Sequence, residues 1–473
     1  MSPTRSNLGN GTLTTGRRSR NRAAEGLVTG HLFKVIRERL PCTQSQLGEC
    51  LGVDTTTVQG WESGRRPVAA MPAAQFLMLR RRFLGLGADP GLLVLLDAAM
   101  DADSVIARAL CYDHAHEELE SHPLAGWVFT RASTHMIAWA LTGIPPAALP
   151  PAPSGTPRRR GPSPETPMLT EAERRRFYSH MRRYTEIADH AGEVGALLRR
   201  QALYLCSYDT APDTHAWLAD IRARKTVQLV HSAWSPAWAD TRSLATSLTK
   251  YGDLDVLHGF IERGMGDDAG EVANLNYWAH WLGLDRTPRS DDSFMSDRST
   301  HHWDARALLR GFADRLDPGL GCVDLNIHSV WSLIASRPGV LAGEAELAQE
   351  LRDRVSRLLD SGSVSRQSRR ELDAVHYGLR DRRESTCLLD LGLGGAGSEE
   401  RRDVGGCAES GGGGVDVMAV RFQEGADFLV CAADGHGGDT EKLTEEVHGG
   451  ELALVEHGGQ DPVGWSELGF GSC

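Results

Sequence analysis

The stretch from Thr43 to Pro67, TQSQLGECLGVDTTTVQGWESGRRP, holds side chains whose types and spacing could read nucleic-acid bases. Thr55, Thr56 and Gln59 fall together on one short helical pattern. A glutamine amide can engage adenine N6 and N7 at once, and threonine sets a hydroxyl beside a methyl that packs on thymine. Two helical patterns position these groups, joined by the turn Gly52-Val53-Asp54. The second pattern ends in Trp61-Glu62-Ser63-Gly64, followed by Arg65-Arg66-Pro67. This is the layout of a helix-turn-helix, which lays its second helix in the DNA major groove.

The supporting residues follow from local physics. Gly52 can take the positive φ that a turn between two crossing helices requires. Thr43 caps the first helix and Asp54 the second, and Thr55 can also serve first-turn hydrogen bonding. Leu47, Leu51, Val58 and Trp61 line the inner faces, so Trp61 reads as a packing anchor rather than a base stacker. Ahead of the turn, HLFKVIRERL (31–40) puts Leu32, Phe33, Ile36 and Leu40 on one face, and Pro41 ends that helix. Residues 73–84 form a further helix that closes a small bundle.

With these features together, residues 31–84, about one ninth of the chain, resemble the phage-repressor and Cro type of helix-turn-helix, the XRE family. The variant it is similar to is the actinobacterial one with a large helical C-terminal domain; the Arg-rich composition, with only 4 lysines among 51 basic residues, agrees. The resemblance implies roles residue by residue. Thr55, Thr56 and Gly60 would hold base-reading positions, with Gln59 beside them. Gln44 would touch phosphate or base, and Arg65 and Arg66 would touch the DNA backbone. Arg37 and Glu62 would form a buried ion pair. Gly60 departs from relatives that often carry a long side chain there, which shifts weight onto DNA shape. The resemblance also implies a homodimer on a pseudo-palindromic double-stranded operator, with half-sites about one DNA turn apart.

The charge distribution agrees with that expectation. The chain of 473 residues has net charge −12, yet residues 1–83 hold 13 Lys/Arg against 5 Asp/Glu, while residues 391–473 hold 4 against 16. Positive charge is concentrated where phosphate would be met. Arg80, Arg81 and Arg82 add to it without a matching motif. No apolar run approaches the roughly 18 residues of a membrane span, and the N-terminus has no apolar signal core. The expectation is a soluble, cytoplasmic, nucleoid-associated protein without membrane contact. Nine scattered cysteines with no C-x-x-C pair read as reduced thiols.

The organisation read from the chain is a disordered basic arm (1–26), the helix-turn-helix domain (27–88) and a helical connector (89–144). A Pro-rich linker (145–167), an α-helical regulatory and dimerisation domain (168–385) and a Gly-rich acidic tail (386–473) follow. Glycine fills 21 of the last 83 positions, which reads as disorder. The expected fold class is all-α: a five-helix helix-turn-helix DNA-binding domain plus a larger α-helical domain of hairpin or tetratricopeptide-like packing, with disordered termini.

Little else carries chemistry. His114-x-His116 with His122 has no accompanying thiolates and reads poorly as a metal cluster; His301-His302-Trp303-Asp304 reads as a helix start. No phosphate loop, G-x-S-x-G or H-E-x-x-H occurs. No catalytic residue, metal site or cofactor is expected. The string NLNYWAHWLGLD mixes polar and aromatic groups, so Asn274, Asn276, Tyr277, Trp278 and Trp281 are the candidate effector pocket for a small molecule or peptide. The expected function is a sequence-specific transcriptional regulator whose helix 54–62 reads the major groove and whose helical body supplies dimerisation and effector sensing. The alternative is a DNA-anchored scaffold that binds a protein or peptide.

Overall fold

The computed structural model describes residues 25–40, 42–111, 119–149, 166–225, 234–285, 287–299 and 303–390. The expected basic arm (save residues 25–26), most of the Pro-rich linker, His114, His116, His301, His302 and the tail beyond residue 390 lie outside the described residues. Within them the fold is all-α: seventeen α-helices and short 3₁₀ turns, with no strand. No helix there is long and apolar enough to cross a membrane.

Helix α1 (Leu27–Arg39) buries Val28, Leu32, Phe33 and Ile36. It starts ahead of the expected His31, through Val28, Thr29 and Gly30, which are poor helix formers. A tertiary bond compensates. The Asp103 carboxylate accepts the Val28 and Thr29 N–H groups at 2.7 and 3.0 Å, satisfying donors that a helix start leaves unpaired. Gly30 has a steric reason as well: a Cβ there would collide with the Trp61 carbonyl.

Helix α2 (Gln44–Leu51) starts on a full capping box, in which Thr43 and Gln46 bond each other's backbone N–H. It ends at Gly52, whose φ of +68° is the left-handed turn expected from the sequence. Asp54 sits at the N-cap of α3 (Thr55–Glu62) with extended backbone, and its carbonyl accepts from Thr57 and Val58. Its side chain, however, makes no capping bond. Leu47, Val58 and Trp61 are buried as expected, while Leu51 is half-buried at the rim. Trp61 meets Phe33 with ring centroids 5.6 Å apart, and Phe33 meets Phe83 of α4 (Ala73–Gly85) at 5.1 Å.

The apolar core of these helices does not stop at residue 88. It continues through α5 (Pro90–Leu110), α6 (Pro123–Gly126), α7 (Arg131–Thr142), α8 (Glu171–His190) and α9 (Ala196–Cys206). Helix α5 makes this possible because Leu and Ala crowd most of its circumference.

A second core takes over at α9, which contributes Leu198, Ala202 and Leu205 to the first core and Leu197 and Leu203 to the second. Even the two arginines of α9 are buried; Arg199 pairs with Asp240, and Arg200 with Asp292. The second core gathers α10 (Pro212–Lys225), α11 (Pro236–Leu248), α12 (Asp255–Gly264), α13 (Asp268–Trp281), α14 (Ala305–Ala313), α15 (Val323–Ser336), α16 (Ala345–Ser361) and α17 (Arg366–Asp390). Most of these are amphipathic; α16 buries Leu347, Leu351, Val355 and Leu358 in one stripe. Asp304 caps α14 by accepting from Arg306 and Ala307, so the expected helix start is found there.

Candidate nucleic-acid interface

Four residues in and around α3 are joined by one hydrogen-bond chain that runs from the core to the surface. Arg37 Nε and Nη2 bond the two carboxylate oxygens of Glu62, the second at 3.2 Å. Arg37 also donates to the Cys42 carbonyl at 3.0 Å, tying α1 to the loop before α2. Gln44 Nε2 donates to Glu62 Oε2 at 2.7 Å, and Gln59 Nε2 donates to Gln44 Oε1 at 3.3 Å. The Glu62 side chain is 3% exposed and Arg37 is 11% exposed, so the ion pair is shielded from water while Gln59 is exposed. Charge-assisted, two-pronged bonds of this kind fix geometry as well as contributing energy. The ion pair implied by the sequence is therefore present, and it orients Gln44 and Gln59.

The expected outward face is only partly outward. Thr56 and Gln59 are exposed and Thr55 is half-buried, but Gly60 is buried. The reason is Arg66. Its backbone N–H bonds the Gly60 carbonyl at 2.9 Å, its Nη1 reaches Thr57 Oγ1 at 2.7 Å, and its stem lies over Gly60. A Cβ at position 60 would come within 3.0 Å of Arg66 Cδ. The absent side chain at Gly60 thus makes room for Arg66 to fold back on the helix. Arg66 and Arg65 remain exposed, and Arg65 Nε rests on Ser63 Oγ at 3.2 Å.

Gln59 keeps its acceptor oxygen and one amide hydrogen after bonding Gln44, the pair an adenine edge needs. Gln44 itself is half-buried and committed to Glu62 on one side and Gln59 on the other. Of the three arginines on α4, Arg80 pairs with Asp97 at 3.2 Å and Arg82 donates to the Cys50 carbonyl. Both bonds link α4 to a neighbouring helix. Sequence reasoning missed Gly48, where a Cβ would sit 2.7 Å from the Val53 carbonyl; a glycine inside α2 next to a turn was the available signal.

The expected effector residues all lie on α13, which is buried around its whole circumference. They separate into two kinds. The Asn276 amide donates to the carbonyls of Phe294, Met295 and Asp297 and accepts from Trp303 Nε1 at 3.0 Å, so it holds the neighbouring loop. Asn274, Tyr277, Trp278 and Trp281 instead meet basic side chains from other helices. Asn274 Nδ2 donates to Ser329 Oγ at 2.8 Å, and Tyr277 and Trp281 stack with centroids 6.1 Å apart.

His122 is buried, its Nδ1 accepts from the Leu124 N–H at 3.1 Å, and its Nε2 faces His180 Nε2 at 3.2 Å. Burial, then His180 and Arg108, hold its pKa down at about 3. The Leu124 bond places the His122 proton on Nε2, leaving no lone pair there for a metal. Among the described residues no group of three metal-ligating side chains is found.

No family model, no curated protein and no solved structure matches the chain.

Proposed function

We propose that the chain is a sequence-specific DNA-binding transcriptional regulator of the helix-turn-helix, XRE-like kind, in which α3 enters the major groove. One observation carries the reading: the buried Arg37–Glu62 pair leads through Gln44 to an exposed, oriented Gln59 on a short helix flanked by exposed Arg65 and Arg66. In this reading Thr56 and Gln59 meet base edges, while Arg65 and Arg66 meet phosphates. Dimerisation is part of the proposal. It is supported by the exposed Leu77, Met78, Leu84 and Leu86 at α4 and its end, an apolar surface of the sort a second copy can cover.

Selection of bound fragments from random duplex DNA by the full chain tests the reading. A recovered two-fold motif is the expected result; uniform recovery at low salt would reject sequence-specific binding. On the recovered duplex, Arg66→Ala should weaken all sequences alike and lower the salt slope by roughly one unit. Loss confined to one sequence would reassign Arg66 to base reading.

A further inference from the structure

Arg242 and Arg315 meet the aromatic side chains of α13, and Lys250 meets the neighbouring Tyr204 and Tyr208. Arg242 of α11 lies over Tyr277 at 3.8 Å and over Trp278 at 5.0 Å. Arg315, just after α14, lies over the same Trp278 at 4.7 Å. Lys250 Nζ, just after α11, sits 3.4 Å from the Tyr208 ring centroid and 5.1 Å from that of Tyr204, and donates to Ser207 Oγ at 2.8 Å. Burial, then the neighbouring Arg315, lowers the pKa of Arg131 on α7, with Asp314 opposing. His135, on the Trp281 edge at 6.5 Å, feels Arg131, Arg315 and Lys250 together.

These charges are not neutralised. Among the described residues no carboxylate forms an ion pair with Arg242, Arg315 or Lys250, while Arg199 and Arg200 nearby each have an aspartate. Arg242 is 5% exposed, and among the described residues its side chain makes one hydrogen bond, Nε to Asn274 Oδ1 at 3.4 Å. Arg242 Nη2, Arg315 Nε and Trp278 Nε1 are buried donors without an acceptor among the described residues. Buried polar groups in proteins are usually hydrogen-bonded, and a buried cation without a counter-charge is costly. Ring faces offset only part of that cost.

Lys250 stays exposed, yet desolvation by the protein around it pulls its pKa down to about 7. Tyr204, Tyr208, His135, Arg315 and Cys322 are half-buried. The cluster therefore runs from buried Arg242 to groups that solvent reaches. Unpaired N–H donors, cations in excess and flat aromatic faces define what fits: an anionic head on a planar body.

We propose that this cluster, built on Arg242, Tyr277 and Trp278 and flanked by Arg315 and Lys250, binds a small organic anion with a planar or aromatic body. The anionic head, carboxylate or phosphate, takes the free N–H groups of Arg242 and Arg315 and draws in Lys250. The body lies against Tyr204 and Trp281. The cluster lies where α7 and α9 of the first core meet α11 and α13 of the second, so an occupant would stiffen that junction and thereby change the DNA affinity of α3. That last step, control of DNA affinity, rests on the DNA-binding reading; occupancy of the cluster does not.

The test uses the full chain in chloride buffer at constant ionic strength, titrated with phenyl phosphate, benzoate, inorganic phosphate and neutral benzyl alcohol. Tryptophan fluorescence and melting temperature are read. Phenyl phosphate or benzoate should saturate and raise the melting temperature, as any native-state ligand must. Benzyl alcohol should not, and inorganic phosphate should bind about tenfold more weakly than phenyl phosphate, since it lacks the stacked body. Lys250→Met and Arg315→Gln should each weaken binding about tenfold, the loss of one charge-assisted bond. Arg242→Gln should abolish it; if that variant does not fold, Lys250→Met decides, because its side chain is exposed. Equal binding of benzyl alcohol, wild-type binding by Lys250→Met and Arg315→Gln, or no response to any probe would overturn the site. Saturable phenyl phosphate binding with unchanged affinity for the selected duplex would overturn the control step alone and leave the site standing.

Discussion

Buried charge is handled in opposite ways at the two ends of this molecule. Around α3 the buried Glu62 has partners in Arg37 and Gln44, and on α5 the buried Asp103 carboxyl, its pKa raised by burial to about 7, accepts the first N–H groups of α1. Around α13 the buried Arg242, the half-buried Arg315 and the exposed Lys250 have aromatic faces but, among the described residues, no carboxylate partner. The difference teaches that paired buried charge builds structure, whereas unpaired buried charge asks for something from outside. A closed network can only orient what it touches; an open one can still bind.

The largest effect should come from breaking the closed network. Glu62→Ala takes from Arg37 its buried carboxylate partner, leaving the exposed Glu38 and the Cys42 carbonyl, and should cost about 3 kcal/mol in denaturant titration of the full chain. An unchanged midpoint would end the claim that this pair is closed. The full chain is needed, because residues 27–88 alone lack Asp103 and the α5 surface on which α1 packs. Asp103→Ala should follow, at about 1–3 kcal/mol, since it strips the acceptor from two buried N–H groups. If its cost matched that of a surface substitution, the bond between α1 and α5 would be incidental.

The open network should reveal itself through pH. Burial lowers the folded-state pKa of Lys250 from 10.5 to about 7, so between those values the unfolded chain holds more protons. Stability should therefore rise with pH across that window and be lowest, as far as Lys250 is concerned, below it. Tyr204, Tyr208, Cys322 and His135 face the same group, so the comparison is wild type against Lys250→Met, whose profile should be flatter. Parallel profiles would mean that Lys250 is already solvated or paired. The smallest effect belongs to local structure: Thr43→Ala removes one cap and should cost about 1 kcal/mol by thermal melting.

Short-range physics made the front end readable. A cap at Thr43, a left-handed glycine at Gly52 and apolar residues at Leu47, Val58 and Trp61 each follow from neighbours within one or two helical turns. The same logic failed at Gly60, because the residue that covers it, Arg66, folds back from beyond the helix end. It failed at Asp54, which holds the cap position without a side-chain bond. It was half right on α13. The mixture of Asn and aromatic residues was visible, but a helix buried all round has no polar face, so no periodicity could separate Asn276, which holds a loop, from Tyr277 and Trp278, which meet cations.

By itself the chain determined the helices, the turn at Gly52, the all-α class and the identity of the side chains around α3, because those depend on local torsion, capping and the period of apolar residues. Only tertiary packing decided that Asp103 reaches α1, that Arg199 and Arg200 find aspartates, and that Arg242, Lys250 and Arg315 gather on one group of aromatic rings. The physical reason is range. Coulomb and desolvation energies act through space between residues far apart in sequence, and no local pattern records which charges the fold will leave without a partner.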